Sequence, residues 1–527
     1  MSADRTRFWK IARYGITVFL ALTAVAVPGA PASAAQENAI DVEAVDQYVL
    51  DSLAQAGIPG AAIAITHGTD VLHVQGYGHD SDGAPVTGHT PFRIASLSKA
   101  FTSLAMMQLV DAGRIALDDT VYGHLPEFRI ADPRGGDITI RQLLNQTSGL
   151  ADRKVPDLSR RQPTTLTEAT TWLHSARLVA DPGTEFNYHN PNYQVAARLV
   201  EVVGGESFND YLRENIFEPA GMNESLNTSS DNTPVAGLAD GHVLAYGQPI
   251  AAPAPGDFAD GAGGVVSTAT DMAKWLTLQA NGGVAANGTR LISEQSMAEM
   301  HTSRGHSSYT LGWSTHGHEG APTRLQHTGN LLTFSAATAI LPGSGIGLTL
   351  MFNASSGILL EQTAIFNGAL NIIEGGHPNP GTPHVSGKLL DSILTVLTVA
   401  AILLAIRGVV SSRRWATRLT YSPVLAMARL APLIGVLVLI SSLPKLAGWL
   451  LDGRDLTWVT ILYSWPALAV FAVATALAAT VTLGARTWQL GAALAKERPQ
   501  RGGPQVAGVS APAPSWFSPT VERFARP

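Results

Sequence analysis

A serine and a lysine three positions apart, in Ser96-Leu97-Ser98-Lys99, form the first group of residues that could do chemistry. On a helix, positions i and i+3 lie on one face, so this spacing places the Lys99 amine beside the Ser96 hydroxyl. A serine hydroxyl needs a neighbouring base to attack a carbonyl, and a lysine serves when burial or nearby cations lower its pKa. The same pattern recurs at Ser442–Lys445 inside an apolar stretch, so the spacing alone does not identify a catalytic pair.

Tyr188-His189-Asn190, followed by Pro191, forms a second group. Proline favours an extended conformation in the residue before it, and in an extended segment positions i and i+2 point the same way. We therefore expect Tyr188 and Asn190 to face one cleft, where a phenol moves protons and an amide orients a lysine or a substrate carbonyl. The alternative is an ordinary turn before the helix that we expect to begin at Gln194.

His327-Thr328-Gly329 forms a third group, just before an apolar strand. A side chain at position 327 could face the site, and Gly329 would let a substrate lie close to the backbone. The amide of Asn330 could then pair with the amide of Ser96 as an oxyanion hole. His318 stands in the same pattern, but the strand that follows His327 favours the later position. The alternative is that His327 is only a packed strand residue.

The elements that must position these groups follow from periodicity and turn residues. Two predicted strand pairs lie near the two ends of residues 40–374, and helical patterns lie between them. This order predicts an α/β (α+β) domain, with an antiparallel sheet from its N- and C-terminal parts, flanking helices and a helical insertion. The strands are Gly60 to Thr66, Val71 to Gly76, Leu331–Leu341 and Ile346–Phe352, and the helices include Lys99–Asp111, Gln194–Val203 and Asp271–Ala280.

Three long apolar stretches follow, at about residues 389–410, 430–450 and 459–483, each long enough to cross a bilayer. The first connection and the tail are rich in arginine, whereas the short second connection, residues 451–456, is mainly acidic. Basic connections stay in the cytoplasm, so everything before the first stretch is expected outside. Transport through these spans is a poor alternative because they carry few ionisable groups.

The N-terminus has the pattern of a secretory signal peptide. A basic segment precedes the apolar run Ile16 to Val27, and Ala32-Ser33-Ala34 offers small residues for cleavage. An uncleaved anchor helix is the alternative. The predicted organisation is a signal peptide over 1–35, a hydrolase domain over 40–374, a linker over 375–387, three transmembrane helices over 388–485 and a disordered cytoplasmic tail over 486–527. The protein is therefore expected to be a multi-pass plasma-membrane protein with its catalytic domain outside the cytoplasm.

Composition excludes several classes of function. Hydrophobic residues make up 46% of the chain and charged residues only 14%, and the net charge is −6, unlike the basic footprint of a nucleic-acid binder. The chain has no cysteine, which excludes disulfides, thiolate catalysis and Cys-ligated metals. We predict no metal and no cofactor. The expected partners are a small-molecule or peptide substrate and the lipid bilayer.

Taken together and in this order, the three motifs resemble the serine β-lactamase and penicillin-binding protein family, especially its class C-like branch. The resemblance covers roughly residues 45 to 370. It implies that Ser96 is acylated, that Lys99 and Tyr188 move protons, and that Asn190 holds Lys99 or the substrate amide. Other stretches similar to the family are PFRIASLSKAFTSLAMMQLVDAGRIALDD (91–119), ITIRQLLNQTSGL (138–150), FNYHNPNYQVAARLVEVVGG (186–205), FEPAGM (217–222), GAGGVVSTATDMAKW (261–275) and LGW (311–313).

One position departs from the family pattern, because His327 stands where many members have a lysine. A histidine is only partly charged near neutral pH, so it would grip a substrate carboxylate less firmly. The resemblance then implies a peptidase or esterase rather than a dedicated β-lactamase, with His189 pointing away from the cleft.

The predicted function is therefore a membrane-anchored extracytoplasmic serine hydrolase acting through an acyl-enzyme on amide or ester bonds. Its expected substrates are D-amino-acid peptides or esters, which include peptidoglycan stem peptides, with weak β-lactamase activity. The alternative is a penicillin-binding envelope receptor or scaffold that is acylated without efficient turnover.

Overall fold

The computed structural model of the protein describes residues 40–304, 307–318, 321–355, 361–377, 387–420, 422–451 and 453–497. The predicted signal peptide, 1–35, and most of the predicted tail lie outside the described residues. In chain order the strands are β1 (Gly60–His67), β2 (Asp70–Gly78), β3 (Phe92–Arg93), β4 (Leu226–Asn227), β5 (Gly241–Ala245), β6 (Gln248–Ala252), β7 (Val265–Ser267), β8 (Ser314–His318), β9 (Ala321–Asn330), β10 (Ser335–Leu341), β11 (Ile346–Phe352) and β12 (Ala354–Ser355).

The helices between and after these strands are longest near the C-terminus. Short 3₁₀ turns occupy Ala95–Leu97, Pro133–Asp137 and Trp172–Ser175, and one π turn occupies Arg213–Phe217. The α-helices are α1 (Val42–Ala56), α2 (Ser98–Asp111), α3 (Val121–His124), α4 (Ile140–Leu144), α5 (Leu166–Thr171), α6 (Asn190–Gly204), α7 (Phe208–Leu212), α8 (Ala269–Ala280), α9 (Glu294–His301), α10 (Glu361–Ile373), α11 (Gly387–Val410), α12 (Ser412–Thr417), α13 (Pro423–Ser441), α14 (Leu443–Leu450), α15 (Trp458–Ser464) and α16 (Pro466–Glu497).

The central sheet joins both ends of residues 40–374. Its strand order is β2-β1-β11-β10-β9-β8, and β1 pairs antiparallel with β11, so that Ala61 lies opposite Phe352. The other neighbouring strands of this sheet are also antiparallel. Strands β1, β10 and β11 are buried along nearly their whole length, as expected for a sheet with helices on both faces. Helix α8 packs on β1 and β11, and α10 packs on α1 and β10. The predicted fold class is therefore confirmed.

Helix α2 runs through the core of the helical region. Most of its residues are buried, including the polar Ser98, Thr102 and Ser103, so the helix is enclosed on all sides. The Phe101 ring stacks on Trp275 of α8 with ring centroids 3.8 Å apart. Because α2 follows directly on the 3₁₀ turn Ala95–Leu97, this packing also fixes the position of Ser96.

Two local predictions differ from the structure. Helix α6 begins at Asn190 rather than Gln194, because Pro191 occupies its first turn, where the missing N–H has no helical partner to lose. Residues 331–334 form a turn rather than the start of a strand, and the Leu331 N–H donates to the Phe334 carbonyl over 2.9 Å. The strand before this turn is β9, which carries His327.

Three C-terminal helices are long and apolar enough to cross a membrane: Gly387–Val410, Val424–Ser441 and Pro466–Lys496. The second predicted stretch, 430–450, is divided at Ser442 between α13 and α14, and the third begins with the separate helix α15. Helix α16 continues to Glu497, so the expectation of disorder from residue 486 is wrong for 486–497.

Candidate active site

The turn that carries Ser96 is strained and tightly packed. Ala95, directly before Ser96, has a φ of 52°, a left-handed conformation that costs a non-glycine residue about 1–2 kcal/mol. A Cβ at Gly329 would lie 2.4 Å from the Ile94 carbonyl oxygen and 3.0 Å from the Ser96 nitrogen. Strand β9 therefore presses directly on this turn, and contact with the strand helps to hold the unfavourable backbone conformation.

Lys99 is fully buried beside Ser96. Its Nζ donates to Ser96 Oγ over 3.0 Å, to Asn190 Oδ1 over 2.9 Å and to the Ala262 carbonyl over 2.7 Å. Burial lowers the pKa of Lys99, and the positive charge of Arg454 lowers it further against the opposing effect of Tyr188. The structure thus provides a lysine that can lose its proton next to a serine hydroxyl.

Tyr188 lies between two cations. The centre of its ring is 4.9 Å from Lys99 Nζ and 5.4 Å from Arg454 Cζ. On its other sides are the rings of Tyr309, at 6.0 Å, and His327, at 6.4 Å. A side-chain hydrogen bond with Tyr188 raises the pKa of Lys99, so the phenol is placed to exchange a proton with the amine.

Asn190 connects Lys99 to an acidic residue that the sequence did not reveal. While its Oδ1 accepts from Lys99, its Nδ2 donates to Asp157 Oδ2 over 2.8 Å, which fixes the orientation of the amide. Burial raises the pKa of Asp157. Asp157 lies in an irregular segment with no motif around it, and only the fold brings it to this site.

His327 is buried, and its hydrogen bonds define its tautomer. Nδ1 lies 2.8 Å from the Thr328 carbonyl, which can only accept, so Nδ1 carries the hydrogen and Nε2 accepts from the Tyr309 hydroxyl at 2.9 Å. Burial, helped by the charge of Lys99, lowers the pKa of His327 to about 3. The expectation that His327 is partly charged near neutral pH is therefore wrong. The rival His318 is exposed at the end of β8.

The edge of β9 beside Ser96 has the geometry of a substrate-binding edge. Hydrogen-bonded and non-hydrogen-bonded pairs alternate in an antiparallel ladder, and Leu331 bonds to Phe334, so the Asn330 N–H points away from β10. On that side, the pairing of β8 with β9 reaches only Gln326, four residues before Asn330. The amide of Asn330 therefore points away from β10, one residue after the Gly329 contact with the Ser96 turn. Gly329 itself is required for that contact rather than for substrate approach.

Gln146 orders the segment that contains Tyr188 and Asn190. Its Oε1 accepts from the His189 N–H over 3.1 Å and from Asn192 Nδ2 over 2.6 Å. Gln146 has a φ of 63°, a strained conformation that directs its side chain and its carbonyl towards this segment. The contacts of Gln146 with this segment therefore help to position Tyr188 and Asn190, in addition to the contacts of their own side chains.

The model of the beta-lactamase family matches residues 45–369. The chain belongs to this family. It is 30% identical over 316 residues to penicillin-binding protein 4 of Amycolatopsis lactamdurans, a match that covers 56% of this chain and 81% of the relative. It is 28% identical to protein flp of Staphylococcus aureus strain N315, covering 59% of this chain and 63% of that protein. A solved penicillin-binding protein from Bacillus halodurans superposes with a TM-score of 0.51 at 26% identity, covering 60% of this chain and 98% of that structure.

Several contacts to this beta-lactamase domain come from beyond the family match, and one of them reaches Asp152 beside the site. Arg454, in the connection between α14 and α15, lies 3.2 Å from the Asp152 carboxylate through its Nε. Asp152 also binds His189 Nδ1 over 2.7 Å, so His189 is buried and turned towards Asp152. Burial raises the pKa of Asp152, but His189 and Arg454 outweigh this effect and hold it below its usual value.

Sequence reasoning missed four residues of this beta-lactamase site: Asp152, Asp157, Tyr309 and Arg454. Each lies in irregular structure, without the local spacing that marks the Ser96 and Tyr188 motifs. In the sequence, Arg454 is only one charge in the mainly acidic connection 451–456. Among the described residues, no group of three or more His, Asp or Glu side chains could hold a metal ion.

Proposed function

We propose that the protein is a membrane-anchored serine hydrolase that cleaves amide or ester bonds through an acyl-enzyme, with its catalytic domain outside the cytoplasm. The observation that carries the proposal is the 3.0 Å contact between Ser96 Oγ and the buried Nζ of Lys99. Family membership supports the reaction class. The three apolar helices support the anchor, and the arginine-rich first connection supports the orientation.

In this reaction, uncharged Lys99 takes the proton of Ser96 as the hydroxyl oxygen attacks the substrate carbonyl. The amides of Ser96 and Asn330 bind the developing oxyanion. The proton passes by way of Tyr188 to the leaving group as its bond to the carbonyl carbon breaks. Water then attacks the acyl-enzyme, Lys99 and Tyr188 carry one proton of the water to Ser96 Oγ, and the ester bond to Ser96 breaks to release the acid. Asn190 keeps the Lys99 amine directed at Ser96.

We propose D-amino-acid peptides or esters as substrates, with peptidoglycan stem peptides among them. A neutral His327 supports substrates that do not depend on a fixed cation at position 327, and it argues against a dedicated β-lactamase. The competing function, an envelope receptor acylated without turnover, would use the same nucleophile but would stop at the acyl-enzyme.

The test uses the full-length protein and a fluorophosphonate probe. We expect the Ser96→Ala variant to lose labelling and ester hydrolysis. The matched control is Ser98→Ala, because the Ser98 hydroxyl donates to the Ala95 carbonyl over 2.6 Å and is not available for attack. Labelling that persists in Ser96→Ala would contradict the proposal. A single burst of product without turnover would favour the receptor.

A further inference from the structure

The connection between α14 and α15 lies directly against the catalytic residues. We propose that this connection completes the active site, with Arg454 as a positioning residue that holds Tyr188 and favours the uncharged form of Lys99, which is the form that can take the proton of Ser96. The inference rests on the proposed function, because it assigns Arg454 a part in the same acylation step. It gives the C-terminal helices a role beyond anchoring.

Arg454 holds Tyr188 from two directions. Its Nη1 donates to the Tyr188 carbonyl over 2.8 Å, and its guanidinium carbon lies 5.4 Å from the centre of the same residue's ring. Its Nε lies 3.2 Å from Asp152, whose side chain is only 3% exposed. A planar guanidinium with several directed N–H groups suits such a site, whereas a lysine ammonium would not reproduce its geometry.

Asp455 fixes the connection to the segment that holds Asn190. Its carboxylate accepts from the backbone N–H groups of Leu158 over 2.8 Å and Ser159 over 2.5 Å, and its own N–H donates to Asp152 Oδ2 over 3.0 Å. Asp157, the partner of Asn190, is the residue directly before Leu158. The connection therefore contacts both segments that orient the neighbours of Lys99.

The connection has a defined shape of its own. The Gly453 N–H donates to the Gly448 carbonyl over 2.9 Å, and the Arg454 N–H donates to the Leu451 carbonyl over 3.1 Å. Gly453 has a φ of 81°, which a glycine adopts without strain. Arg454 thus follows a hydrogen-bonded turn at the end of α14. Because this turn also fixes the backbone of Arg454, its position at the site does not depend on Asp152 alone.

The charge of Arg454 affects whether Lys99 is protonated. Arg454 lowers the pKa of Lys99, in the same direction as burial, whereas Tyr188 and Asp157 raise it. His327 is neutral, so Arg454 is the charged side chain that favours the uncharged amine. The titratable and charged groups that face Lys99 are Tyr188, Tyr193, Asp157, His327 and Arg454.

The experiment measures kcat/KM for a neutral ester between pH 6 and 10, with full-length protein in nanodiscs. Removing the charge in Arg454→Gln raises the pKa of Lys99, so the ascending limb of the profile moves to higher pH. At pH 7, where a smaller fraction of Lys99 is then uncharged, we expect kcat/KM to fall by about tenfold. Arg454→Lys should return the ascending limb of the kcat/KM profile to its wild-type pH but should not restore the full value of kcat/KM. The matched control is Arg413→Gln, which removes an exposed arginine from α12.

Two outcomes would overturn the inference: an Arg454→Gln profile that superimposes on the wild type, or an equal loss at every pH that Arg454→Lys does not change. The second outcome would mean that Arg454 only stabilises the fold. Failure of the proposed function is distinguishable, because the Ser96→Ala variant would then still be labelled by the fluorophosphonate. If Ser96→Ala abolishes labelling while Arg454→Gln behaves as wild type, only the role of Arg454 is rejected.

Discussion

Lys99 has one hydrogen-bond partner for each of the three N–H bonds of an ammonium group. When it loses a proton, two N–H groups still reach the oxygens of Asn190 and Ala262, and the lone pair faces the Ser96 hydroxyl. Only the direction of the bond to Ser96 has to reverse. The proton can therefore move without rearranging the site, which is the advantage of preorganised catalytic groups.

The charges next to Lys99 give a pair of opposite predictions. Asn190→Asp places a carboxylate at the present amide, which raises the pKa of Lys99 and moves the ascending limb of kcat/KM to higher pH. Asp157→Asn removes a charge that raises the pKa of Lys99, so the limb should move to lower pH. Profiles for both variants with a neutral ester check this. Shifts in the same direction would show that Lys99 is not the titrating base.

The buried state of His327 predicts a flat dependence of KM on pH. Its pKa of about 3 leaves the ring uncharged throughout the range from pH 5.5 to 8.5. The ratio of KM for a carboxylate substrate to KM for a neutral ester should therefore not change in that range. A ratio that rises through the ordinary titration range of histidine, near pH 6.5, would mean that His327 is charged when the site is open.

At the level of elements, the contact between β9 and the Ser96 turn predicts a strong effect of Gly329→Ala. The new methyl group would meet the Ile94 carbonyl oxygen at 2.4 Å, so strand and turn must separate. We expect probe labelling of Ser96 to slow by about 10²-fold, as for other small misplacements of catalytic groups. Gly343→Ala is the matched control, because a Cβ there meets no atom within 4 Å. Equal labelling rates for the two variants would contradict this account.

The elements that the sequence predicted well are those with local signals. The pair β1 and β2 and the pair β10 and β11 follow from apolar runs separated by short turns, and α2 follows from its length and apolar pattern. The start of α6 was missed because Pro191 is compatible both with the first turn of a helix and with the end of an extended segment. Residues 331–334 were assigned to a strand because an apolar run does not distinguish a tight turn from a strand.

In the site, too, residues with a local sequence signal were predicted and residues placed by tertiary packing were not. Ser96 lies in the 3₁₀ turn that leads directly into α2 and Lys99, and Tyr188 lies two residues before Asn190, where α6 begins. Both pairs are close in the chain, so their spacing predicted their proximity. Tyr309 and Arg454 reach the site through tertiary packing, from segments far away in the chain. The protonation of His327 also depends on its burial in the folded domain. The unperturbed pKa of histidine, which is all that the sequence provides, does not include the effect of burial.

For the whole molecule, the absence of cysteine allows a direct test of topology. Asp82→Cys places a single thiol at an exposed position of the catalytic domain, and Arg413→Cys places one in the connection predicted to be cytoplasmic. A membrane-impermeant maleimide applied to intact cells should label the first variant and not the second. Permeabilised cells should show labelling of both. Labelling of Arg413→Cys in intact cells would reverse the proposed orientation.

In the proposed function, the contact of Asp455 with Leu158 and Ser159 also has a consequence for the distance over which Ser96 can meet a substrate. Residues 374–386 separate α10 from α11, and a free chain of this length spans at most about 45 Å when fully extended. A catalytic domain attached only by such a flexible linker would reach a large volume of the cell wall. In the proposed topology, the connection between α14 and α15 would hold Ser96 at one depth, and we expect only bonds brought to the membrane surface to be cleaved.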